Sequence, residues 1–596
     1  MLRTYRLIWE ILTPSERRSA LLIGLLSIVM ALFEVMGVAA ILPFMQVVSQ
    51  PEVIQEEGHF RWLWTTFGFQ SVQFFQIFIG AAAFVVIITG MAVRALTVFA
   101  ITRFSMMRSY SISSRLLSRY LNQPYSWFLS QNSSNLGQNL LYETDKAIIE
   151  CLQPAFMLVA YVLMLVLVTG FIFVIEPVIA LGATILVAGT YAAVYLGFRR
   201  KLDQLGTGRY QANQGRFKAV QEATGGIKDV KSRRLESQFV TRYMGSAHRL
   251  ARLESYSQTI GRLPRFAIEG VVYGGFILLV LAMLVNSDGD LTSLLPLFAL
   301  IGMAGSKLFP AIQVVYLLTT SMRFMTPSLE KLHSNLTILP PEPADPGPVP
   351  ALHLRHELVL DEVTFRYAGA EKPVLDRLSL VIPARTTVGV VGGTGAGKTT
   401  AIDLLLGLFT PDSGEIRVDG TVIDDRTRPA WQKSIGYVPQ SIFLTDDTIA
   451  ANIAFGVPEA EIDMAAVERA ARIANLHDFV TGHTPAGYLT VVGERGVRLS
   501  GGQRQRIGIA RALYGDPDVL ILDEATSALD NLTERAVMEA VHNLGQEKTV
   551  IMIAHRLTTV KDCQIIFMLK DGRLADSGSF DELVSRNEIF RRMANA

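Results

Sequence analysis

The sequence predicts a multi-domain protein in which a six-helix transmembrane bundle with long cytoplasmic helical extensions is followed by a soluble α/β domain. Half of the 596 residues are apolar and 18% are charged, compared with about 25% charged residues in ordinary soluble domains. Every apolar stretch of about 20 residues, the length that crosses a bilayer, lies before residue 325. From Glu357 onward, short apolar strands alternate with helical stretches, which is typical of a mainly parallel sheet.

The composition excludes several other classes of protein. Fifty-five basic and 54 acidic side chains give a net charge of +1, so no overall basic field attracts nucleic acid. Cys151 and Cys563 are too few for a disulfide framework and lack metal-ligand spacing, so we expect two reduced thiols. The first apolar run begins near Leu21 and is too long for the core of a signal peptide, which indicates a retained membrane anchor.

Six apolar stretches are predicted to span the membrane. The stretch 199–262 holds fourteen basic and five acidic residues, whereas the predicted outer connections are mainly acidic. The positive-inside rule therefore places the N-terminus, both long extensions and everything after the sixth span in the cytoplasm. Buried helices of a large soluble protein, the alternative, would not sort charge in this way. The predicted spans are Leu21–Val48, Gln76–Val93, Cys151–Ile175, Pro177–Phe198, Gly270–Asn286 and Leu291–Met322.

A run of six prolines between Pro340 and Pro350 predicts a stiff, extended connection that cannot continue a helix. We therefore predict three parts: a transmembrane domain at 1–325, a linker at 326–356 and a nucleotide-binding domain at 357–596.

The phosphate-binding motif of the soluble part lies between a predicted strand and a predicted helix. After Val388–Val391 the chain reads G-x4-G-K-T, in which glycine amides and a helix N-terminus can surround phosphates and a lysine can reach the terminal ones. A structural glycine-rich turn, the alternative, would not require Lys-Thr at that place. The candidate ATP-binding residues are Gly392, Gly393, Thr394, Gly395, Ala396, Gly397, Lys398, Thr399 and Thr400.

Two carboxylates follow the apolar run Val519–Leu522, which reads as a buried parallel strand. Asp523 is predicted to hold Mg²⁺ and Glu524 to polarise the attacking water, since phosphoryl transfer needs mainly positioning and charge neutralisation. Taken alone, the pair could equally be two solvated carboxylates at a strand end.

The segment Leu499–Gln503, with the sequence LSGGQ, precedes a helix rich in arginine and alanine. With these motifs the chain resembles the ATP-binding cassette (ABC) transporters, and in particular their exporter-type half-transporters. The resemblance implies a homodimer that holds two ATP molecules, each between the phosphate loop of one copy and Ser500, Gly501, Gly502 and Gln503 of the other.

The resemblance also implies roles for single residues. Tyr367 would stack on adenine, although it could be an ordinary strand residue, and Gln440 would contact Mg²⁺ and water. His555 would contact the γ-phosphate, although a lone histidine is more often structural. Asp530 would lie in the loop exchanged across the dimer, and Gly493–Gly496 would meet the membrane domain. The implied catalytic residues are thus Glu524, His555 and Gln440, and the implied Mg²⁺ ligands are Thr399, Gln440 and Asp523.

By the same resemblance, two coupling helices should lie near Pro124–Asn139 and Gly225–Gln238, although solvated helical faces would fit their composition equally well. The implied mechanism is alternating access driven by ATP.

Five charged residues lie within or beside the predicted spans: Glu34, Arg94, Arg265, Glu269 and Lys307. At about 1.5 Å per residue from the outer ends, all five fall in the inner half of the membrane. Their single excess positive charge suits an anionic headgroup. Alternatively, Glu34 pairs with Arg94 or Lys307, Arg265 pairs with Glu269, and the charges only hold the bundle together.

The surroundings of these charges are similar to bacterial flippases of lipid-linked oligosaccharides, which implies a polyprenyl-pyrophosphate-linked glycan as substrate. Lys307 stands where that resemblance leads us to expect arginine. The aromatic outer loop Pro51–Phe75 would anchor in the membrane interface or attend the lipid tail.

We therefore expect an ATPase of the bacterial inner membrane that flips such a lipid outward. An exporter of drugs or simple lipids and an ATP-gated regulator that transports nothing are the alternatives.

Overall fold

A computed structural model describes residues 1–56, 58–286, 295–340, 347, 349–524, 539, 547–554 and 557–594. The chain divides into two compact units. The first comprises Met1–Gln123 and Trp127–Pro343, and the second comprises Pro124–Ser126 and Ala344–Ala596.

The helices of the first unit include four of 44 residues or more, which continue well beyond the thickness of a bilayer. The predicted cytoplasmic extensions are therefore continuations of membrane helices. The helices are α1 (Leu2–Ile11), α2 (Pro14–Ala39), α3 (Ile41–Ser49), α4 (Val53–Glu56), α5 (Gly58–Thr66), α6 (Val72–Leu121), α7 (Tyr125–Ser130), α8 (Ser133–Gln138), α9 (Thr144–Ala147), α10 (Gln153–Ile175), α11 (Pro177–Gly225), α12 (Ile227–Ser232), α13 (Glu236–Asn286) and α14 (Leu295–Ile338).

Within the described part of the chain, five helical segments are long and apolar enough to cross a membrane. They correspond to five of the six predicted spans: Pro14–Ser49, Val72–Leu121, Ser133–Ile175, Ala180–Gly225 and Phe298–Ile338. The remaining prediction, Gly270–Asn286, is the C-terminal part of α13. Residues 291–294, which we assigned to the last span, lie outside the described residues.

Helix α2 shows how local chemistry fixes a helix start. Proline occupies its first position, and the Thr13 side chain and the Glu16 carboxylate cap the first turn reciprocally. The Glu16 carboxylate also pairs with Arg108 of α6 at 2.7 Å. The capping carboxylate is therefore compensated although Glu16 is buried.

The predicted linker at 326–356 is too long at both ends. Helix α14 continues past Pro327 to Ile338, so the helix stops at the proline run that begins at Pro340 and not at residue 325. Near the other end, the amide of Leu352 donates to the Ala430 carbonyl at 3.0 Å, so this segment belongs to the second unit.

Two π-helical turns, Asn139–Glu143 and Ile148–Leu152, interrupt the helix between α8 and α10. The first turn presents Glu143 to the interior. Its carboxylate accepts from Gln138 at 3.0 Å, Asn213 at 2.9 Å and Ser328 at 2.6 Å, and pairs with the fully buried Arg209. One carboxylate therefore joins three parts of the helical unit.

The second unit contains two sheets. A four-stranded antiparallel sheet has the order β2-β1-β4-β5, and a six-stranded sheet has the order β10-β9-β3-β8-β7-β6, in which β9 to β6 are parallel. The strands are β1 (Glu357–Phe365), β2 (Leu375–Pro383), β3 (Thr387–Gly392), β4 (Ser413–Val418), β5 (Thr421–Val422), β6 (Ile435–Val438), β7 (Val519–Asp523), β8 (Thr549–Ile553), β9 (Ile565–Lys570) and β10 (Arg573–Gly578).

Alternate residues of the central strands belong to separate hydrophobic clusters. Leu520 and Leu522 pack in one cluster, while Val519 and Ile521 pack in the other. One face of the parallel sheet therefore packs against helices and the other against α15 and the antiparallel sheet, so both faces are covered, as expected for fully apolar strands. The helices of this unit are α15 (Lys398–Leu405), α16 (Arg428–Gln432), α17 (Ile449–Ile453), α18 (Met464–Ile473), α19 (His477–His483), α20 (Gly501–Tyr514), α21 (Phe580–Arg586) and α22 (Glu588–Ala594).

The strand order brings the predicted motifs to one edge of the sheet. Strands β3, β8, β7 and β6 are neighbours and parallel, and Ile553 pairs with both Val390 and Asp523. The loops that follow these strands start at the same carboxyl edge, where open α/β sheets bind ligands.

Candidate nucleotide site and intramembrane charge cluster

The phosphate loop connects β3 to α15 through glycines with positive φ. Gly395 has φ of 79° and Gly397 has φ of 97°, values that side-chain-bearing residues rarely adopt. A Cβ atom on Gly397 would also lie 2.6 Å from Leu375 Cδ2. The backbone at Gly397 therefore requires glycine.

Lys398 lies in the concave side of this loop. Its ammonium donates to the carbonyls of Gly392 at 2.8 Å and Gly393 at 3.1 Å. Burial lowers the pKa of Lys398, although the carboxylates of Glu524 and Asp523 counteract that effect. The loop thus holds a lysine that faces two acidic groups.

The two threonines after Lys398 differ in their surroundings. Thr400 is buried and its hydroxyl lies 3.1 Å from the Tyr367 hydroxyl, whereas Thr399 is exposed. Tyr367 also packs edge-on against Phe409. Thr399 could therefore ligate Mg²⁺, as expected, whereas Thr400 connects the loop to the predicted adenine-stacking tyrosine.

The acidic pair ends β7. Asp523 is buried, and Glu524 has φ of 49°, which turns the chain sharply after the strand. The Gln440 side chain donates to Glu524 Oε2 at 2.7 Å, although the two residues are 84 positions apart. The predicted water-polarising carboxylate and the predicted glutamine therefore lie together.

These groups fit Mg²⁺-ATP. Lys398 and the loop amides would hold the phosphates, Thr399, Asp523 and Gln440 would hold Mg²⁺, and Glu524 would orient water. When bound, ATP supplies the phosphoryl group and Mg²⁺ neutralises its charge.

The LSGGQ segment forms the start of α20. Ser500 caps this 14-residue helix, with its hydroxyl accepting from the Gln503 amide at 3.2 Å and the Gln503 side chain accepting from the Ser500 amide at 2.8 Å. The amides of Gly501 and Gly502 fall in the first turn, where a helix favours negative charge. In the Gly493–Gly496 segment, Glu494–Gly496 forms a 3₁₀ turn.

Some predicted residues cannot be placed. His555 and Asp530 lie outside the described residues, as does the rest of the segment 525–530. Strand β8 ends at Ile553, two positions before His555, at the same edge as Asp523. Short helices occur at both predicted coupling positions, α7 and α8 at the first and α12 at the second.

Asp403 on α15 was not predicted. Burial, together with the Asp523 carboxylate, raises its pKa to about 6. Its position in an apolar helix gave no sequence signal.

Comparison with known proteins decides the family. The family model of the ABC transporter transmembrane region matches residues 20–305, and that of the ABC transporter matches residues 375–527. The chain is 33% identical over 485 residues to the ATP-dependent lipid A-core flippase of Alkalilimnicola ehrlichii, and the match covers 79% of each chain. The chain belongs to the ABC transporter family.

Other relatives and a solved structure agree with this assignment. The chain is 37% identical over 385 residues to the ATP-dependent lipid A-core flippase of Cupriavidus metallidurans. This match spans 62% of the length of each of the two chains. Its fold matches the structure of a bacterial Atm1-family ABC exporter with ATP bound, with a TM-score of 0.76, 25% identity and 97% coverage of both chains. The predicted exporter-type architecture is confirmed.

In the membrane half of the transporter, three of the five predicted charges form one cluster. The Glu34 side chain is 2% exposed and pairs with Lys307 Nζ at 2.9 Å and with Arg94 Nη1 at 3.4 Å. Helices α2, α6 and α14 thus meet at a carboxylate between two cations. Arg265 and Glu269 pair with each other at 2.6 Å, one turn apart on α13. Both pairings that we expected if the charges only hold the bundle together are therefore present.

Arg94 differs from the other members of this cluster in being accessible. Its side chain is 36% exposed, and it borders a groove of about 570 Å³ along one face of α6. Its guanidinium also donates to the hydroxyl of Tyr161, on α10, a residue that the sequence did not single out. The groove is lined by Met91, Arg94, Ala95, Val98, Phe99 and Thr102.

The outer aromatic loop is only partly exposed. Trp64 and Phe69 pack against Phe75, with ring centroids 5.4 Å and 5.2 Å apart. Trp62 and Phe67 remain 63% and 59% exposed. Phe74 is 70% exposed as well, so these three aromatic side chains could contact lipid.

Proposed function

We propose that this transporter is an ATP-driven flippase that works as a homodimer. It would move an anionic polyprenyl-pyrophosphate-linked oligosaccharide from the cytoplasmic to the outer leaflet by alternating access. The observation that carries the proposal is the intramembrane cluster, in which one buried carboxylate lies between two cations and leaves one net positive charge beside a groove.

Charge inside a bilayer is unfavourable unless it is paired or functional. Glu34 and Lys307 can compensate each other, so the excess charge belongs to Arg94, the accessible member of the cluster. Arginine presents a planar fork of donors that matches phosphate oxygens. Two copies of the chain would supply two such forks, one for each phosphate of a pyrophosphate diester.

The geometry of the nucleotide site supports ATP as the energy source. Gln440 and Glu524 are in contact, Lys398 faces acidic groups, and Ser500 caps a 14-residue helix that begins in the LSGGQ segment. The chain has one phosphate loop and one LSGGQ segment, so a second copy would complete each ATP site. Binding of ATP between copies could then change the equilibrium between conformations through its preference for the closed one.

Relatives named lipid A-core flippases favour a second substrate, lipid A-core itself. Both candidates join an apolar anchor to a glycan. An exporter of drugs or simple lipids and a non-transporting regulator remain outcomes of the test.

The test uses the full-length protein in nanodiscs and measures ATPase activity against four additives: a polyprenyl-pyrophosphate sugar, lipid A-core, an uncharged polyprenyl lipid and an amphipathic drug. We expect the pyrophosphate lipid to stimulate hydrolysis most and Glu524→Gln to abolish it. Equal stimulation by the drug, or stimulation unaffected in an Arg94, Arg265 and Lys307 triple-alanine variant, would contradict the proposed substrate.

A second measurement separates transport from regulation. Proteoliposomes with a fluorescent polyprenyl-pyrophosphate lipid should show ATP-dependent transfer between leaflets, with the Glu524→Gln protein as control. Hydrolysis without transfer of any of the four additives would favour the regulator.

A further inference from the structure

The three-charge cluster is not symmetric around Glu34. Lys307 approaches the carboxylate to 2.9 Å and is 15% exposed, whereas Arg94 stays at 3.4 Å and is 36% exposed. Since ion pairs in a poorly hydrated interior depend strongly on distance, Lys307 is the main partner of Glu34. These two residues form an internal pair with no net charge.

Arg94 is held from its other side by Tyr161. One guanidinium nitrogen donates to the Tyr161 hydroxyl at 3.2 Å, and the guanidinium carbon lies 5.7 Å from the centre of the tyrosine ring. A cation over an aromatic face is attracted by the ring, and more strongly where water is scarce. Tyr161 thus restrains a side chain that would otherwise have many rotamers.

Arg94 keeps donors for a further partner. A guanidinium carries five N–H groups. Within the described part of the chain, the hydrogen bonds of Arg94 engage one N–H on each terminal nitrogen, with Glu34 and Tyr161. The exposed part of the side chain borders the groove on α6. A donor group that is already restrained loses less freedom when a ligand binds.

We propose that Tyr161 is a positioning residue that holds the Arg94 guanidinium at the groove, and that Arg94 contacts the anionic headgroup while Glu34 and Lys307 do not. This inference rests on the proposed function and narrows it. Of the three clustered charges, one then contacts the headgroup, and a tyrosine outside the five predicted cavity residues determines its orientation.

The test measures the concentration of polyprenyl pyrophosphate that gives half-maximal ATPase stimulation in nanodiscs, with the uncharged polyprenol as second probe. Tyr161→Phe removes the hydroxyl and keeps the ring. We expect it to raise the half-maximal concentration of the charged lipid about tenfold, as for loss of one hydrogen bond to a charged group, with an unchanged maximal stimulated rate. Tyr161→Leu, which also removes the ring, should raise it further, and neither variant should alter the response to polyprenol.

Two controls test whether the effect is specific to the contact between Tyr161 and Arg94. Tyr195→Phe removes a similar contact elsewhere, because the Tyr195 hydroxyl accepts from Arg323 at 2.9 Å, and it should leave the half-maximal concentration unchanged. The double variant E34Q/K307M removes the internal pair but keeps the net charge and a side-chain oxygen that can accept from Arg94. It should stay within about twofold of wild type, since such pairs can often be replaced at little cost. Arg94→Met should abolish the preference for the charged lipid.

Each of these measurements has an outcome that would overturn part of the inference. An unchanged half-maximal concentration in Tyr161→Phe, or a change in maximal rate alone, would overturn the positioning role. An effect of E34Q/K307M as large as that of Arg94→Met would overturn the division of the cluster. A wild-type protein that responds equally to both probes would refute the proposed substrate itself, and the inference with it.

Discussion

Replacing Arg209 with methionine is expected to destabilise the helical unit by about 3–5 kcal/mol, the range for breaking a buried ion pair. Arg209 and Glu143 are 0% and 3% exposed, so neither charge can regain water when its partner is removed. After the substitution, the Glu143 carboxylate would keep three neutral donors, from Gln138, Asn213 and Ser328. Those bonds reduce the penalty but leave a buried negative charge without a cation.

The double variant E143Q/R209M tests how much of this cost comes from leaving one charge unpaired. It removes both charges and keeps side chains of similar volume, so we expect it to be more stable than R209M. Its loss of unfolding free energy should be at least about 2 kcal/mol smaller than the sum of the losses in the two single variants. The assay is unfolding of the purified full-length protein in mixed micelles of increasing SDS fraction, followed by tryptophan fluorescence. Wild-type stability in R209M, or strict additivity in the double variant, would refute the reasoning.

Three further predictions concern the second unit. Because the pKa of Asp403 is raised to about 6 by burial and by Asp523, its contribution to stability is fully present below about pH 4 and is lost as the pH rises through 6. Asp403→Asn should flatten the fall in nucleotide-free melting temperature between about pH 4 and 7 and add about 1 kcal/mol at the upper end, after allowance for solvent screening. An unchanged slope would count against the assignment. Gly397→Ala should abolish binding of a fluorescent ATP analogue, because its Cβ would lie 2.6 Å from a Leu375 methyl and its φ is 97°; retained affinity would show that the loop can adapt. Ser500→Ala should cost about 1 kcal/mol of stability through the lost helix cap and reduce ATP turnover at saturating nucleotide; full turnover would contradict a role for the LSGGQ segment at the partner's ATP.

The nucleotide site was predictable because its chemistry is local in sequence. A phosphate loop needs consecutive glycines and a lysine, and the structure places Gly397 and Lys398 as the motif requires. The resemblance placed Gln440 and Glu524 at the same water, and the two side chains are hydrogen-bonded although they are 84 positions apart. The sequence motifs and the order of the strands thus indicate the same location for the nucleotide site.

Contacts between helices were less accessible to sequence reasoning. Tyr161 lies in a span without charges, so nothing there indicated that it faces Arg94. Which face of a helix meets which neighbour depends on helix packing, and a period of 3.6 residues leaves several faces open when nearly all are apolar. Helix α14 likewise continues past the boundary predicted at residue 325 to Ile338, with Pro327 inside it.

The π turn at Asn139–Glu143 makes the spacing of this helix as important as its composition. A π turn accommodates one more residue than an α turn, and each residue of an α-helix rotates the chain by about 100°. Restoring ordinary helical winding there without removing a residue would rotate one half of the helix against the other by roughly a quarter turn. Glu143 could then no longer face Arg209 while α10 kept its own packing. Homologous chains that keep this ion pair should therefore either keep the π turn or be one residue shorter at that place.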